Sequence, residues 1–271
     1  MPMQPSVDML LPDMKFAKAL MGSLLLFASL TSAANDGLPA GIARIKPSVL
    51  AVGTYQETQN PRFGFSGTGF VVGNGNLLVT NAHVIERSGA TSDESGGVAV
   101  YARGSSVQTG VRRAEVLALD RAHDLALLRF EGSPLPALEL GHAATAHEGQ
   151  SVAFIGFPLG SALGLSPVTH RGMVSAITSV ALPSPSARQL DSRAIKALKD
   201  GAVEFLQLDA TSYPGNSGGP LFDVNTGAVV GVVNMTALKG TRESALSHPS
   251  GISYAIPVEH VLNLLSRQAL K

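Results

Sequence analysis

The chain has 271 residues, no cysteine, 29 glycines, 16 prolines, and 20 basic against 20 acidic side chains. Zero net charge with only 15% charged residues, below the usual ~25%, gives no electrostatic footprint for nucleic acid or an anionic membrane surface. Without cysteine there is no disulfide, no thiol nucleophile and no zinc–thiolate site.

The N-terminus reads as an export signal. Lys15 and Lys18 form a basic n-region, residues 19–30 an apolar h-region, and Thr31-Ser32-Ala33-Ala34 a small-residue cleavage site. Asp8 and Asp13 lie upstream, where signal n-regions avoid acids, so Met14 reads as a candidate true start. The apolar run is too short for a comfortable membrane span; an uncleaved anchor is the alternative reading. Either way, residues 35–271 are expected outside the cytoplasm, in the periplasm or secreted, with no stable span once the signal (1–34) is cut.

Residues 35–47 read as a lead-in containing Pro and Gly. Strands are expected near 48–55, 65–73, 76–81, 98–102, 112–119 and 125–130, each rich in β-formers and bounded by turn residues. The Gly73-Asn74-Gly75 turn between the second and third is a hairpin signature that delivers His83 just past a strand end. Residues 131–150, with Pro134 and Pro136 and little periodicity, read as a linker. Further strands are expected near 152–156, 170–180, 204–209, 219–223, 227–234 and 252–256. Between two of these, the long segment 183–201 has Asp191 as an N-cap and Gly201 as a stop for a short helix. It reads as a surface insertion or as a border of a substrate groove. Val258, Val261, Leu262, Leu264 and Leu265 are spaced by three and four, which predicts a helix over 258–269.

Three segments carry chemistry. Gly215-Asn216-Ser217-Gly218-Gly219-Pro220 sets a serine among glycines. Alone it reads as a tight turn or anion nest, or as a nucleophile loop in which backbone approaches a carbonyl closely. Thr80-Asn81-Ala82-His83-Val84 supplies an imidazole, and His123-Asp124-Leu125-Ala126-Leu127-Leu128 a carboxylate just before a buried strand. A neutral hydroxyl needs an imidazole to take its proton. The imidazole needs a carboxylate to fix its tautomer and stabilise its cation. Asp120 is the competing acid, but Asp120-Arg121 reads as a turn, where substitution is expected to be nearly silent. His123 is expected at a strand edge, partly exposed. His142 and His147 fall in the linker and, with Glu148, do not make a helical zinc motif. The chemistry calls for no metal and no cofactor.

With these residues in view, the chain resembles the HtrA/Deg group of trypsin-like (chymotrypsin-fold) serine endopeptidases. Beyond the three segments above, Ser66-Gly67-Thr68-Gly69-Phe70-Val71-Val72, Gly156-Phe157-Pro158-Leu159-Gly160, Gly172-Met173-Val174-Ser175-Ala176 and Ser253-Tyr254-Ala255-Ile256-Pro257 match that family in order. The resemblance covers nearly all of the chain after the signal. It implies an all-β fold of two six-stranded Greek-key β-barrels, about 48–130 and 151–257, joined by the linker and followed by the C-terminal helix. It implies an endopeptidase with His83, Asp124 and Ser217 as its triad and the Gly215 and Ser217 amides as its oxyanion hole.

Protein or peptide substrates, unfolded ones above all, are the implied partners. The pocket floor is expected from Thr211 and Ser212 beside Tyr213, and its wall from Val233 and Asn234 within the stretch ending at Met235. No acid lies in either stretch, which argues against a preference for Lys or Arg and leaves a small or medium apolar side chain. Asn216 replaces the aspartate that digestive relatives use to bind a freed N-terminal amine, so no activating cut is expected. Asp209 is expected to hydrogen-bond within the nucleophile loop. Only 14 residues follow Pro257, too few for the PDZ domain that many relatives carry. No aromatic occurs between Asn35 and Tyr55, and lead-in aromatics are what HtrA-type trimers often use; the oligomeric state stays open.

Overall fold

The computed structural model describes residues 37–88, 97–102, 110–142, 146–160, 164–180, 203–234 and 251–269. The signal segment, the 183–201 loop and Met235 lie outside them. Six strands form the first closed barrel: β1 (Val49–Tyr55), β2 (Phe63–Val72), β3 (Leu77–Thr80), β4 (Val98–Tyr101), β5 (Val111–Asp120) and β6 (Leu125–Phe130). Six more form the second: β7 (Ser151–Gly156), β8 (Val168–Val180), β9 (Val203–Asp209), β10 (Pro220–Asp223), β11 (Val229–Asn234) and β12 (Ile252–Pro257).

Both barrels are antiparallel and share one connectivity, β1-β2-β3-β6-β5-β4 and β7-β8-β9-β12-β11-β10, each closing on its first strand. Closure leaves no sheet edge to be capped. The expected strands therefore appear within a few residues of their predicted ends. The Asn74-Gly75 turn closes the β2–β3 hairpin, with Gly73 at φ +62° and Gly75 at φ +91°.

Successive side chains of a strand point to opposite faces, and here both faces are buried. In β1, Leu50 and Val52 join one apolar cluster, while Val49 and Ala51 join another. That second cluster runs across the molecule, gathering Phe70 and Leu127 of the first barrel with Ile155, Phe222 and Ile256 of the second. The connection between the barrels is pinned to each: Leu138 N–H donates to Val71 C=O (2.9 Å), and Gly141 N–H to Val229 C=O (2.8 Å).

The lead-in carries an element that the sequence reading did not assign. It forms a helix, α1 (Gly37–Ile45), and a 3₁₀ turn over Lys46–Ser48. Pro39 lies in the first turn, where its missing N–H costs nothing. Leu38 packs against, and Ile45 belongs to, the apolar cluster that holds Val261 and Leu264. The sequence reading assigned it no element; the helical turn brings Leu38 and Ile45, seven positions apart, to the same apolar cluster. Two helices complete the fold: α2 (Ala82–Arg87), directly after β3, and α3 (Val258–Ala269), over the residues expected, with Val258, Val261 and Leu264 buried. No helix among the described residues is long and apolar enough to cross a membrane.

Candidate active site

His83 sits in the first turn of α2, with only Asn81 and Ala82 between it and the end of β3, and Asp124 directly precedes β6. Since β3 and β6 are neighbours in register, with Thr80 opposite Ala126, the two residues meet at the same end of the first barrel. His83 Nδ1 lies 2.6 Å from Asp124 Oδ2, and the His83 backbone N–H donates to Asp124 Oδ1 at 2.9 Å. A ring nitrogen facing a carboxylate carries its proton there, which leaves Nε2 as the acceptor pole. Nε2 is buried and makes no hydrogen bond, so the Ser217 hydroxyl is not bonded to it in this state. Hydrogen bonds of this kind are often loose without substrate and tighten when it binds.

The carboxylate is held from several sides. Asn81 Nδ2 (3.0 Å) and Ala82 N–H (3.1 Å) both donate to the Asp124 carbonyl. From the second barrel, Asn234 Nδ2 donates to Asp124 Oδ2 at 2.9 Å. Asn234 was expected in the wall of the specificity pocket; its side chain is fully buried, and its amide reaches the Asp124 carboxylate. Sequence reading missed this contact, although one signal was visible: Asn234 is the lone polar residue ending the apolar run Val229-Val230-Gly231-Val232-Val233. Asp120 faces His123 and Arg267 instead of His83.

The loop carrying Ser217 is fixed against both barrels by Thr68 of β2. Thr68 N–H donates to Ser217 C=O (2.9 Å), and its hydroxyl donates to Gly215 C=O (2.6 Å). The same hydroxyl accepts the Phe157 N–H (3.1 Å), and Thr80 Oγ1 donates to Thr68 C=O (2.6 Å). The glycines have stated reasons. Gly218 lies at φ +86°, and a Cβ there would collide with the Thr68 carbonyl; Gly215 lies at φ +105°, and a Cβ there would collide with the Phe157 carbonyl.

The Pro214 C=O accepts the Leu159 N–H at 2.8 Å. Carbonyl and N–H point in opposite directions across a trans peptide, so the Gly215 N–H is turned away from Leu159. It donates to no backbone carbonyl among the described residues. Asn216 is fully buried, and neither its Oδ1 nor its Nδ2 finds a hydrogen-bond partner. A carboxylate in that place would be a buried charge.

The other expected positions fall as follows. Thr211 is half-buried and Ser212 buried, its hydroxyl without a partner. Val233 is buried in the apolar cluster of the second barrel; it donates to Gly219 C=O and accepts the Gly218 N–H, both at 2.9 Å. It braces the loop from below. Asp209 is exposed at the end of β9 and not folded into the nucleophile loop; the hydroxyl that ties down this approach is Ser253 Oγ, donating to Ala210 C=O at 2.5 Å. Among the described residues no three His, Asp or Glu side chains cluster so as to hold a metal ion.

Comparison with known proteins shows the family of the chain. A family model for the trypsin-like peptidase domain matches residues 67–232, more than half of the chain. The chain is 29% identical over 231 residues to serine protease HTRA3 of Rattus norvegicus, covering 83% of this chain and 43% of that protein. It is 33% identical over 204 residues to mitochondrial serine protease HTRA2 of Drosophila pseudoobscura pseudoobscura (75% and 39%). It is also 33% identical over 199 residues to a probable periplasmic serine endoprotease, DegP-like, of Halomonas elongata (73% and 34%). The chain thus spans less than half the length of these relatives. Among solved structures, the HtrA-type protease AlgW with a tripeptide superposes with a TM-score of 0.57 at 23% identity, covering 84% of this chain and 62% of that one. The chain belongs to the trypsin-like peptidase family.

Proposed function

We propose that this chain is an exported serine endopeptidase that cleaves protein substrates through an acyl-enzyme. The single observation that carries the reading is the His83–Asp124 pair, bound at Nδ1 and bare at Nε2, in a molecule whose second barrel presents Ser217 on a glycine loop tied to the first. In the proposed cycle Ser217 Oγ attacks the peptide carbonyl carbon while His83 Nε2 takes its proton. The Gly215 and Ser217 amides hold the oxyanion, and Asp124 stabilises the imidazolium. The tetrahedral intermediate collapses, the C–N bond breaks, and the amine leaves with the proton from Nε2. Water then repeats the sequence on the ester.

Because the acid–base pair comes from one barrel and the nucleophile from the other, the substrate has to lie extended between them, which favours unfolded chains and a role in protein quality control. Absence of acidic side chains near Thr211 and Ser212 favours a small or medium apolar residue before the cleaved bond. Export rests on the N-terminal signal pattern and on the periplasmic relative.

Incubating the full chain with unfolded casein, with and without a serine-directed fluorophosphonate, tests the reading. Hydrolysis abolished by the reagent, with Ser217 as the labelled residue, supports it. Casein bound but not cut would make the protein a binder of unfolded chains. Ester turnover without peptide cleavage would make it an esterase.

A further inference from the structure

The turn that carries Asp124 is fastened to the C-terminal helix by four side chains that the proposed chemistry does not use. Asp120, at the end of β5, accepts from His123 twice, from its N–H at 3.2 Å and from Nδ1 at 3.0 Å. That much is an ordinary aspartate-closed turn, which is all the sequence suggested. The structure adds α3. Arg267 Nη2 donates to Asp120 Oδ2 at 2.7 Å, and the His260 ring stacks on the His123 ring with centroids 4.0 Å and planes 20° apart. Glu259 Oε1 stands 4.0 Å from His260 Nε2, and on the outer side of the turn Arg121 pairs with Glu86 at 2.8 Å.

Burial alone would raise the Asp120 carboxyl, but hydrogen bonds from His123 and Arg267 outweigh it and hold it below the usual carboxylate range. Asp120 is therefore an anion at neutral pH, able to hold both partners. The turn ends on Asp124 with φ +51°, a backbone region that a non-glycine residue keeps only where its surroundings hold it. Downstream the Asp124 carbonyl is held by Asn81 and Ala82; upstream the hold comes from this cluster.

We propose that Asp120, Arg267 and the His123–His260 stack are a positioning clamp through which the C-terminal helix sets the orientation of Asp124 toward His83. The inference rests on Asp124 being the orienting carboxylate. None of the four touches a reacting atom; they act through the turn.

Turnover of a fluorogenic peptide by the full chain, followed across pH, tests this with Asp120→Ala, Arg267→Ala and Arg267→Lys. Val174→Ala, in the core of the second barrel, serves as a destabilised control. Asp120→Ala is expected to lower kcat by about 10- to 100-fold, as misplacement by a fraction of an ångström to an ångström does. KM should stay within about two-fold, since ground-state binding is untouched. The acid limb of kcat/KM should move to lower pH, because the imidazolium loses part of its carboxylate. Arg267→Ala should move the same way less far, Arg267→Lys should recover part of the loss, and Val174→Ala should leave the limb in place.

A wild-type limb and kcat in both clamp variants overturns the proposal, as does an equal limb shift in Val174→Ala. If Asp120→Ala does not fold, the largely exposed Arg267 still decides. Asp124→Asn in the same series separates the two ideas. If it is active, the assignment of Asp124 falls; if it is inactive while the clamp variants are normal, the clamp alone falls.

Discussion

Asp124 is crowded with donors: the His83 N–H on Oδ1, His83 Nδ1 and Asn234 Nδ2 on Oδ2, and two backbone-directed bonds on its carbonyl. Each donor fixes one degree of freedom of a carboxylate that, in the proposed cycle, must hold one imidazole tautomer. Asp124→Asn keeps the shape but turns an N–H toward Nδ1, so a loss of roughly 10⁴-fold in kcat is expected. Ser217→Ala, which removes the nucleophile, should cost roughly 10⁴–10⁶-fold with the fold intact. Steady-state kinetics with circular dichroism of each variant checks both, and a Ser217→Ala protein retaining more than a few per cent of activity refutes the nucleophile. Asn234→Leu fills the same space without a donor. One lost orienting bond to a buried carboxylate should lower kcat by about 10- to 100-fold while KM holds. If Asn234 lined the specificity pocket instead, the change would appear in KM and in the cleavage pattern.

At the scale of elements, β2 fastens the Ser217 loop to the first barrel, with one side chain at the centre of the join. Thr68 sends a hydroxyl to Gly215 and receives the Phe157 N–H, so Thr68→Val strands a half-buried carbonyl and a buried amide together. Each unsatisfied group costs about 1–3 kcal/mol. Chemical denaturation should show a loss of that order, and activity should fall further than stability because the Gly215 peptide is released.

The α3 helix gives a pH signature. Burial, followed by the neighbouring His123, pushes His260 down to about 4 from its usual 6.5. The unfolded chain then binds a proton that the folded chain refuses, so stability is full above the unfolded value and declines as pH falls toward about 4. His260→Phe keeps the stacked ring and removes the titration. Its melting temperature should fall less steeply over that pH window than the parent's, and parallel curves would show that His260 has no such role.

For the whole molecule, the residues of the proposed cycle are divided between the two barrels. His83 and Asp124 come from the first barrel, Ser217 and Asn234 from the second, and one apolar cluster runs through both. Asn216, uncharged and buried, leaves no carboxylate for a newly freed N-terminal amine to pair with. The expected history of the protein is one cut by signal peptidase and none afterward. Intact mass of the exported protein should place its N-terminus near Ala34 or Asn35, and that species should already hydrolyse casein. Activity that appears only after loss of part of residues 35–47 would make the lead-in a pro-segment and would require a different partner for the new amine.

Local chemistry was enough for the strands, the Asn74-Gly75 hairpin and helix α3, and it is what nominates the three residues of the proposed triad. β-branched runs, turn residues and three-four spacing act over a few neighbours, and a serine among glycines is legible within six residues. The choice of Asp124 over Asp120 was also local, because only Asp124 abuts a buried strand. Tertiary structure decided the rest. Asn234 reaches Asp124 across 110 positions and Arg267 reaches Asp120 across 147. Thr68 meets Gly215 across the same 147. A single polar residue at such a separation leaves no periodic trace, and its partner is set only when closed barrels bring distant strand ends together. The helix of the lead-in belongs with these: the sequence reading assigned residues 35–47 no element, and the apolar cluster that holds Leu38 and Ile45 is assembled from both barrels and α3, far along the chain.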